Sequence, residues 1–211
     1  MKTKLSPIGI AGIILFLTYA IPTTLWLVNN FSLSSKYSEF VAALLVIIGA
    51  LVWYTRTQAV PLLPSSLAWK VFCVIGCVIT LILFFINIYN EPVSQITGQA
   101  RPPLSVFSVI ILLPLAEELI FRGVMWSFIE RSSTKYRWEM LPLLGTSLLF
   151  GLAHLGYWIQ SHWLLPPDAF LHSLSMVAAG LFFGVIRWTS GTLFAPIVIH
   201  MTANSTILLF Q

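Results

Sequence analysis

The sequence predicts an all-α protein, a polytopic membrane helix bundle of about seven transmembrane helices that forms one integral membrane domain over residues 1–211. Hydrophobic residues make up 58% of the 211 positions and charged residues only 9%, whereas a soluble globular domain has about 25% charged residues. Apolar stretches of about twenty residues recur along the chain, and this is the length that crosses a bilayer as a helix. The lipid bilayer is therefore the expected partner of its outer surface.

Seven apolar stretches define the expected helices. The second is the weakest prediction, because only residues 40–54 are uninterrupted, and a position at the membrane interface is the alternative for it. The first follows Lys2 and Lys4 as in a signal peptide, but it is longer than the usual apolar core and lacks a small-residue cleavage site, so we expect a retained helix. The stretches are residues 7–28, 37–54, 71–89, 104–129, 140–159, 169–186 and 191–210.

Lysine and arginine predict the orientation, since short cytoplasmic connections collect positive charge. Of the eleven such residues, most lie on the side shared by the N-terminus and the even-numbered connections, while only Lys36 and Arg101 lie on the other. We expect the N-terminus inside and the C-terminus outside, in a bacterial cytoplasmic membrane, because the chain is short and shows no organelle signal. The net charge of +4 follows this bias, and no basic stripe indicates nucleic-acid binding.

The two halves of the chain differ in the polarity of their apolar stretches. Before residue 104 nothing suggests chemistry. Cys73 and Cys77, four residues apart, are expected to pack as small apolar residues rather than to bind metal. Residues from about 104 to 211 place charged and polar side chains inside the stretches, so the function is expected in this second half.

Three charged residues, Glu117, Glu118 and Arg122, lie in the middle of the fourth stretch. Each central charge costs about 2.5–3.5 kcal/mol on insertion scales, so such residues usually pair, face the bundle interior and mark function. Glu118 and Arg122 are four residues apart and can form an ion pair on one helix face. Glu117 is turned about 100° away, so it is the candidate general base. The alternative is that the charges only lock helix packing or line a transport path.

Two further polar clusters lie in the fifth and seventh stretches. His154 stands alone in the fifth, where a hydrogen-bonded packing role is the alternative, and His200 and Asn204 are four residues apart in the seventh. A single His-Asn pair could simply join two membrane helices by hydrogen bonds. Three polar clusters on three helices favour a common site. The other two histidines, His162 and His172, are expected to be non-catalytic.

Glycine and proline predict where the helices approach and bend. Gly180 and Gly184 form a small-xxx-small face that permits close helix packing. Pro114 and Pro196 each precede a polar cluster and remove a helix hydrogen bond, which tends to kink the helix. Two kinks beside the polar residues would open a hydrated interior site, where broken backbone is tolerated in a membrane.

The three clusters resemble the motifs of the CAAX-processing and bacteriocin-processing intramembrane proteases (the CPBP or Abi family), which include the type II CAAX prenyl endopeptidases. Two glutamates and an arginine after three intervening residues appear as Glu117, Glu118 and Arg122. The family's Phe-x-x-x-His motif ends here at His154, and its His-x-x-x-Asn motif runs from His200 to Asn204. The resemblance covers roughly residues 110–205, so the predicted catalytic half is about 104–211.

The resemblance implies an endopeptidase that cuts a peptide or membrane protein with a glutamate-activated water. Glu117 would activate this water and His154 would help to hold it. His200 and Asn204 would stabilise the developing oxyanion, and Glu118 and Arg122 would form a supporting pair. No motif residue is substituted, which favours an active enzyme.

Metal use is a separate question, because Glu117, His154 and His200 could in principle bind zinc and leave a position open for water. The compact H-E-x-x-H arrangement of many zinc proteases is missing from this sequence. We therefore expect no obligatory metal, with a divalent metal such as zinc as the alternative.

Two rival functions belong to other classes. A non-catalytic membrane protein, such as an immunity or partner-binding factor, would use the polar clusters only to shape the bundle. A small transporter or proton path would use the same carboxylates for flux, although many transporters have internal repeats that this sequence lacks.

Overall fold

In a computed structural model of the chain, the described residues are 43–52 without 46 and 50, 61–89 without 62, 106–132, 140–162 and 167–210. Every regular element among them is helical and none is a strand, so the all-α prediction is confirmed. The first predicted span, residues 7–28, lies outside the described residues, as do most of the charged connections.

Helix α1 (Leu67–Tyr89) has 23 residues and begins where the Ser66 hydroxyl accepts a hydrogen bond from the Trp69 N–H at 3.3 Å. Most of its apolar side chains point outward and are exposed, whereas its buried residues are Cys73, Thr80 and Asn87. A helix that exposes its apolar residues and buries its polar ones is suited to lipid rather than to water.

Helix α2 (residues 106–132) changes register along its length. It is π-helical over Ser108–Leu112 and Leu119–Met125, and α-helical over Leu113–Glu118 and Trp126–Ser132. The sequence predicts one apolar helix here, but periodicity cannot reveal π-helical turns, which are rare and cluster at functional sites.

Helices α3 (Leu141–His162) and α4 (Pro167–Ser190) pack against each other in antiparallel directions. Gly151 of α3 faces Ser173 and Val177, whereas the earlier Ser147 faces the later Gly180. A β-carbon at position 180 would lie 3.0 Å from the Ser147 Cα atom. The close approach predicted from the glycine spacing in the sixth stretch is confirmed.

Helix α5 (Phe194–Leu209) begins after a turn at Gly191, whose φ of 66° lies in the left-handed region that favours glycine. The expected kink at Pro196 is wrong. Pro196 lies in the first turn, where backbone N–H groups have no acceptor within the helix, so a proline removes nothing there. The following residue, Ile197, makes the first turn's backbone bond to Leu193 O at 3.3 Å.

Helix α5 is the centre of the described bundle because it contacts α1, α2 and α4. It is antiparallel to α2, since Glu118 meets His200 while the earlier Val109 meets the later Asn204. The described residues of the second predicted span are helical. Among them, Ala43 belongs to one apolar cluster with residues of α2 and α5.

Two of the described helices are long and apolar enough to cross a membrane, Leu67–Tyr89 and Ala169–Ser190. The apolar helices Leu141–Leu155 and Phe194–Leu209 are shorter. The count of about seven spans stays a prediction.

Candidate functional site

The fourth-stretch ion pair predicted from its four-residue spacing is present. Arg122 Nη1 donates to Glu118 Oε1 at 3.0 Å, and both side chains have 0% exposure. Arg122 Nη2 donates to the backbone oxygen of Gly180 on α4 at 2.8 Å. Removing either member of such a buried pair leaves an uncompensated charge, so the two side chains stabilise the fold only together.

Aromatic rings enclose the Arg122 guanidinium. Its Cζ atom lies 4.7 Å from the ring centroid of Phe150, 5.6 Å from that of Phe183 and 5.9 Å from that of Phe121. A guanidinium is weakly hydrated and stacks on ring faces, which attract a cation. Three rings therefore replace part of the water that this buried charge has lost.

His200 joins this pair to the second glutamate. Its Nδ1 atom lies 2.9 Å from Glu118 Oε1, and its Nε2 atom lies 3.6 Å from Glu117 Oε2. A carboxylate oxygen accepts, so Nδ1 carries the proton that it donates to Glu118. This bond fixes the tautomer of neutral His200 and leaves Nε2 facing Glu117.

Two rings hold the His200 imidazole in place. Phe183 of α4 stacks on it with a centroid distance of 4.4 Å and an interplanar angle of 17°. Phe150 of α3 lies 6.1 Å away, edge to face at 72°. Three helices thus determine the orientation of one histidine.

The adjacent glutamates differ in accessibility. The Glu118 side chain is 0% exposed and the Glu117 side chain is 29% exposed. Their different helix faces, predicted from the 100° step between neighbours, separate a buried structural carboxylate from one that a reactant can reach.

His154 contacts Phe150, and the Phe150 ring in turn lies near Arg122 and His200. Its Nδ1 atom lies 2.8 Å from Phe150 O, and its ring centroid is 4.6 Å from the Phe150 ring. A backbone carbonyl can only accept, so Nδ1 donates and Nε2 of the neutral ring keeps a free lone pair. The ring of His172, expected to be non-catalytic, lies 6.1 Å from that of His154.

Asn204 bonds to the backbone of α2 within its first π-helical segment. Its Nδ2 atom donates to Val109 O at 3.0 Å. The Leu113 N–H bonds to Ser108 O five residues back, so the same register would pair Val109 O with residue 114, a proline without an N–H. Asn204 therefore supplies the hydrogen bond that Pro114 cannot, and its second amide N–H is left for another acceptor.

Sequence reasoning missed two contributions of α4. Phe183 carries no polar signal, and the Gly180 backbone oxygen that receives Arg122 has no side chain to reveal it. The glycine spacing predicted close packing at Gly180, but only the structure shows that this approach also brings a carbonyl to the arginine.

The candidate metal ligands do not form a metal site among the residues that the structure describes. No group of three His, Cys, Asp or Glu side chains there is arranged to hold a metal ion. Glu117 and His200 are neighbours, whereas the described contacts of His154 are to Phe150 and His172.

Comparison with known protein families identifies the second half of the chain. The sequence profile of the type II CAAX prenyl endopeptidase Rce1-like family matches residues 99–206, more than half of the chain, and this range includes every candidate site residue. The "Uncharacterized 24.3 kDa protein" of Escherichia coli is 38% identical over 108 residues, which cover 51% of this chain and 44% of that protein. No solved structure gives a significant match.

Proposed function

The chain belongs to the type II CAAX prenyl endopeptidase Rce1-like family, and on that premise we propose that it is an intramembrane endopeptidase in which Glu117 activates a water molecule. The observation that carries this proposal is the asymmetry of the glutamate pair. Glu118 is fully buried between Arg122 and His200, while Glu117 is partly open and faces His200 Nε2 at 3.6 Å.

Glu117 acts as the general base in the proposed reaction. Its carboxylate takes a proton from water as the water oxygen attacks the carbonyl carbon of the scissile peptide bond. The protonated Glu117 then gives the proton to the leaving nitrogen as the carbon–nitrogen bond breaks. Proton transfer by a positioned side chain of this kind contributes about 10²–10⁴-fold to the rate.

The remaining site residues hold the water and the oxyanion. His154, with Nδ1 donating to Phe150 O, can accept a hydrogen bond from the water at Nε2. Asn204 has one amide N–H left for the oxyanion after its bond to Val109, and His200 donates from Nε2 when that atom carries a proton. Donors held in a buried site need little reorganisation as charge develops.

The proposed reaction has no obligatory metal ion, an expectation that rests on the missing H-E-x-x-H arrangement of many zinc proteases. A chelator is the direct test. Purified protein in detergent should keep its cleavage rate after dialysis against a chelator of divalent metals. Loss of cleavage that zinc restores would replace the glutamate mechanism with a metal-dependent one.

The proposed substrate is a peptide or a membrane-associated protein, and the proposal does not require that it be prenylated. The bundle is proposed to have about seven spans, with the N-terminus inside a bacterial cytoplasmic membrane. The antiparallel order of α2, α3, α4 and α5 supports successive crossings. A reporter fused after Gln211 that is active only in the cytoplasm would contradict this orientation.

Replacement of Glu117 by Gln tests the activity itself. Membrane peptides from cells that express Glu117→Gln should contain an uncleaved substrate that the unchanged protein removes. Glu130→Gln is the matched control, since it makes the same chemical change at an exposed position of the same helix. Equal peptide profiles and equal biological activity in correctly inserted Glu117→Gln would favour a non-catalytic role, and glutamate-dependent flux in liposomes would favour a transporter.

A further inference from the structure

We infer that α1 is a positioning helix for the proposed active site, in which Thr80 and Asn87 set the register of α5 and so place His200 and Asn204. This inference rests on the proposed function. Helix α1 precedes the region that matches the family, residues 99–206, so the motifs alone do not assign it this role.

The seam between α1 and α5 is parallel and keeps one register over residues 73–80 of α1. Its facing residues are 122 positions apart in sequence, and they recur on α1 at the alternating spacing of three and four that keeps two helices in contact along one face. The residues in contact are Gly76 with Val198 and Thr80 with Thr202, and Cys73 lies in one apolar cluster with Ala195 at the same spacing.

The seam begins with closely packed residues. A β-carbon at position 76 would collide with Val198 Cγ1, so α1 and α5 approach so closely here that a residue larger than glycine would displace the Val198 side chain. Small residues at such contacts let two membrane helices approach closely enough for their polar side chains to meet. The hydrogen bonds further along the seam depend on this approach.

The first hydrogen bond of the seam joins two threonine hydroxyls. Thr80 Oγ1 and Thr202 Oγ1 are 2.8 Å apart, and Thr202 already donates its hydrogen to Val198 O at 2.9 Å. A hydroxyl has a single hydrogen to donate, so Thr80 is the donor to Thr202. Valine, which has the shape of threonine, would remove this donor without removing volume.

The second bond comes from Asn87, two turns further along α1. Its Nδ2 atom donates both to Leu83 O at 2.8 Å and to Ser205 O of α5 at 3.0 Å. The residue is 1% exposed. An amide buried at this depth is expected to be fully bonded, yet its Oδ1 atom has no partner among the described residues. One amide hydrogen is thus bonded within α1, and the other holds α1 against α5.

These bonds lie at the level of the catalytic groups, on another side of α5. Thr202 lies between His200 and Asn204 in sequence, and one residue along a helix is a 1.5 Å rise and about a 100° turn. A slip of α5 by one residue would therefore carry His200 away from Glu118 and Asn204 away from Val109. The 2.9 Å and 3.0 Å contacts of these two residues cannot survive such a slip.

The test begins with the seam itself and needs no substrate. With Cys77 replaced by Ser, native Cys73 should form an oxidative cross-link with Ala195→Cys in membranes, detected by loss of maleimide labelling. Thr206→Cys, exposed and further along α5, should not cross-link. A protein that cross-links at 206 and not at 195 overturns the inference, whatever its activity.

The second measurement uses the peptide found to accumulate with Glu117→Gln. Thr80→Val combined with Asn87→Leu should lower the turnover number by roughly ten- to hundredfold, because small displacements of catalytic groups have effects of this size. The KM should stay within about twofold, and Thr80→Ser in place of Thr80→Val, which restores one of the two donors, should recover part of the turnover. Thr206→Val is the control, since among the described residues its hydroxyl bonds to Thr202 O within α5 at 2.9 Å.

The outcomes separate the two proposals. Unchanged turnover in the double variant overturns the positioning role, and so does a loss that accompanies unfolding and is not recovered by Thr80→Ser. If the double variant does not fold, the turnover number of Thr80→Val alone is compared with that of Thr80→Ser. The same outcomes then support or overturn the positioning role. Cross-linking at 195 in a protein that cleaves no peptide contradicts the proposed function and leaves the seam as described.

Discussion

The two sides of α5 bury different kinds of polar groups in the membrane bundle. Toward α2 and α4, His200 meets two carboxylates, of which Glu118 pairs with Arg122, and phenylalanine rings lie against the guanidinium and the imidazole. Toward α1, Thr202 and Ser205 meet neutral hydroxyl and amide groups. One helix therefore links a charged centre to a neutral seam.

The difference predicts unequal sensitivity to substitution. Removing one member of a buried charged pair costs about 3–5 kcal/mol, because the other charge stays unpaired. Neutral hydrogen bonds between membrane helices are worth about 0.6 kcal/mol on average. The charged centre should govern stability and chemistry, whereas the seam should govern geometry at little cost in stability.

The largest expected effect separates the two glutamates. Glu117→Gln should lower peptide turnover by about 10²–10⁴-fold, the contribution of a general base, with little change in melting temperature because its side chain is partly exposed. Glu118→Gln should lower both quantities, since Arg122 and His200 lose the charge of their common acceptor. Single-turnover cleavage and thermal unfolding in detergent measure the two properties. Equal stability losses in both variants would remove the distinction between base and structural partner.

Arg122→Met should give the next largest effect, a loss of about 3–5 kcal/mol in the free energy of unfolding. It leaves Glu118 charged at 0% exposure, with His200 as its remaining side-chain partner among the described residues. Adding Glu118→Gln should recover part of this loss, because no unpaired charge then remains buried. Denaturation in mixed micelles gives the comparison, and a double variant less stable than Arg122→Met would contradict it.

The sequence predicts the charged centre better than the seam, for a physical reason. Charges in apolar stretches are costly, so Glu117, Glu118 and Arg122 are conspicuous in the sequence, and the spacing of the last two predicts the pair that the structure contains. Threonine and a single asparagine are common in membrane helices. Nothing in the spacing of Thr80 or Asn87 indicates which helix they face, because that depends on how distant segments pack.

Backbone features limit the prediction in the same way. The π-helical turns of α2 and the carbonyls at Val109 and Gly180 that receive side chains have no residue type of their own. Pro114 was a usable signal, since it removes a donor, but only the structure identifies Asn204 as the replacement. The roles assigned to His154, His200 and Asn204 in catalysis stay predictions.

Gly180→Ala tests the close contact between α3 and α4 that also brings the Gly180 carbonyl to Arg122. Its β-carbon would lie 3.0 Å from Ser147 Cα and 3.1 Å from Ser147 O, and backbone atoms cannot move aside as a side chain end can. Helices α3 and α4 should separate, with a loss of about 1–3 kcal/mol, and the Gly180 carbonyl should shift from Arg122. Gly49→Ala is the matched control because no atom of the described residues lies within 4 Å of its β-carbon. Equal melting temperatures for the two variants would show that this approach is not tight.

Thr80→Val should have the smallest effect on stability, about 0.6 kcal/mol, since it removes one neutral interhelical hydrogen bond and keeps the shape of the side chain. For a chain of this size such a loss lowers the melting temperature by only about 1–2 °C. Thr189→Val, whose hydroxyl bonds within its own helix at 2.9 Å, measures the effect of the substitution alone. If Thr80→Val destabilised the protein as strongly as Arg122→Met, the neutral seam would be a second source of stability rather than a positioning contact, and the contrast between the two sides of α5 would fail.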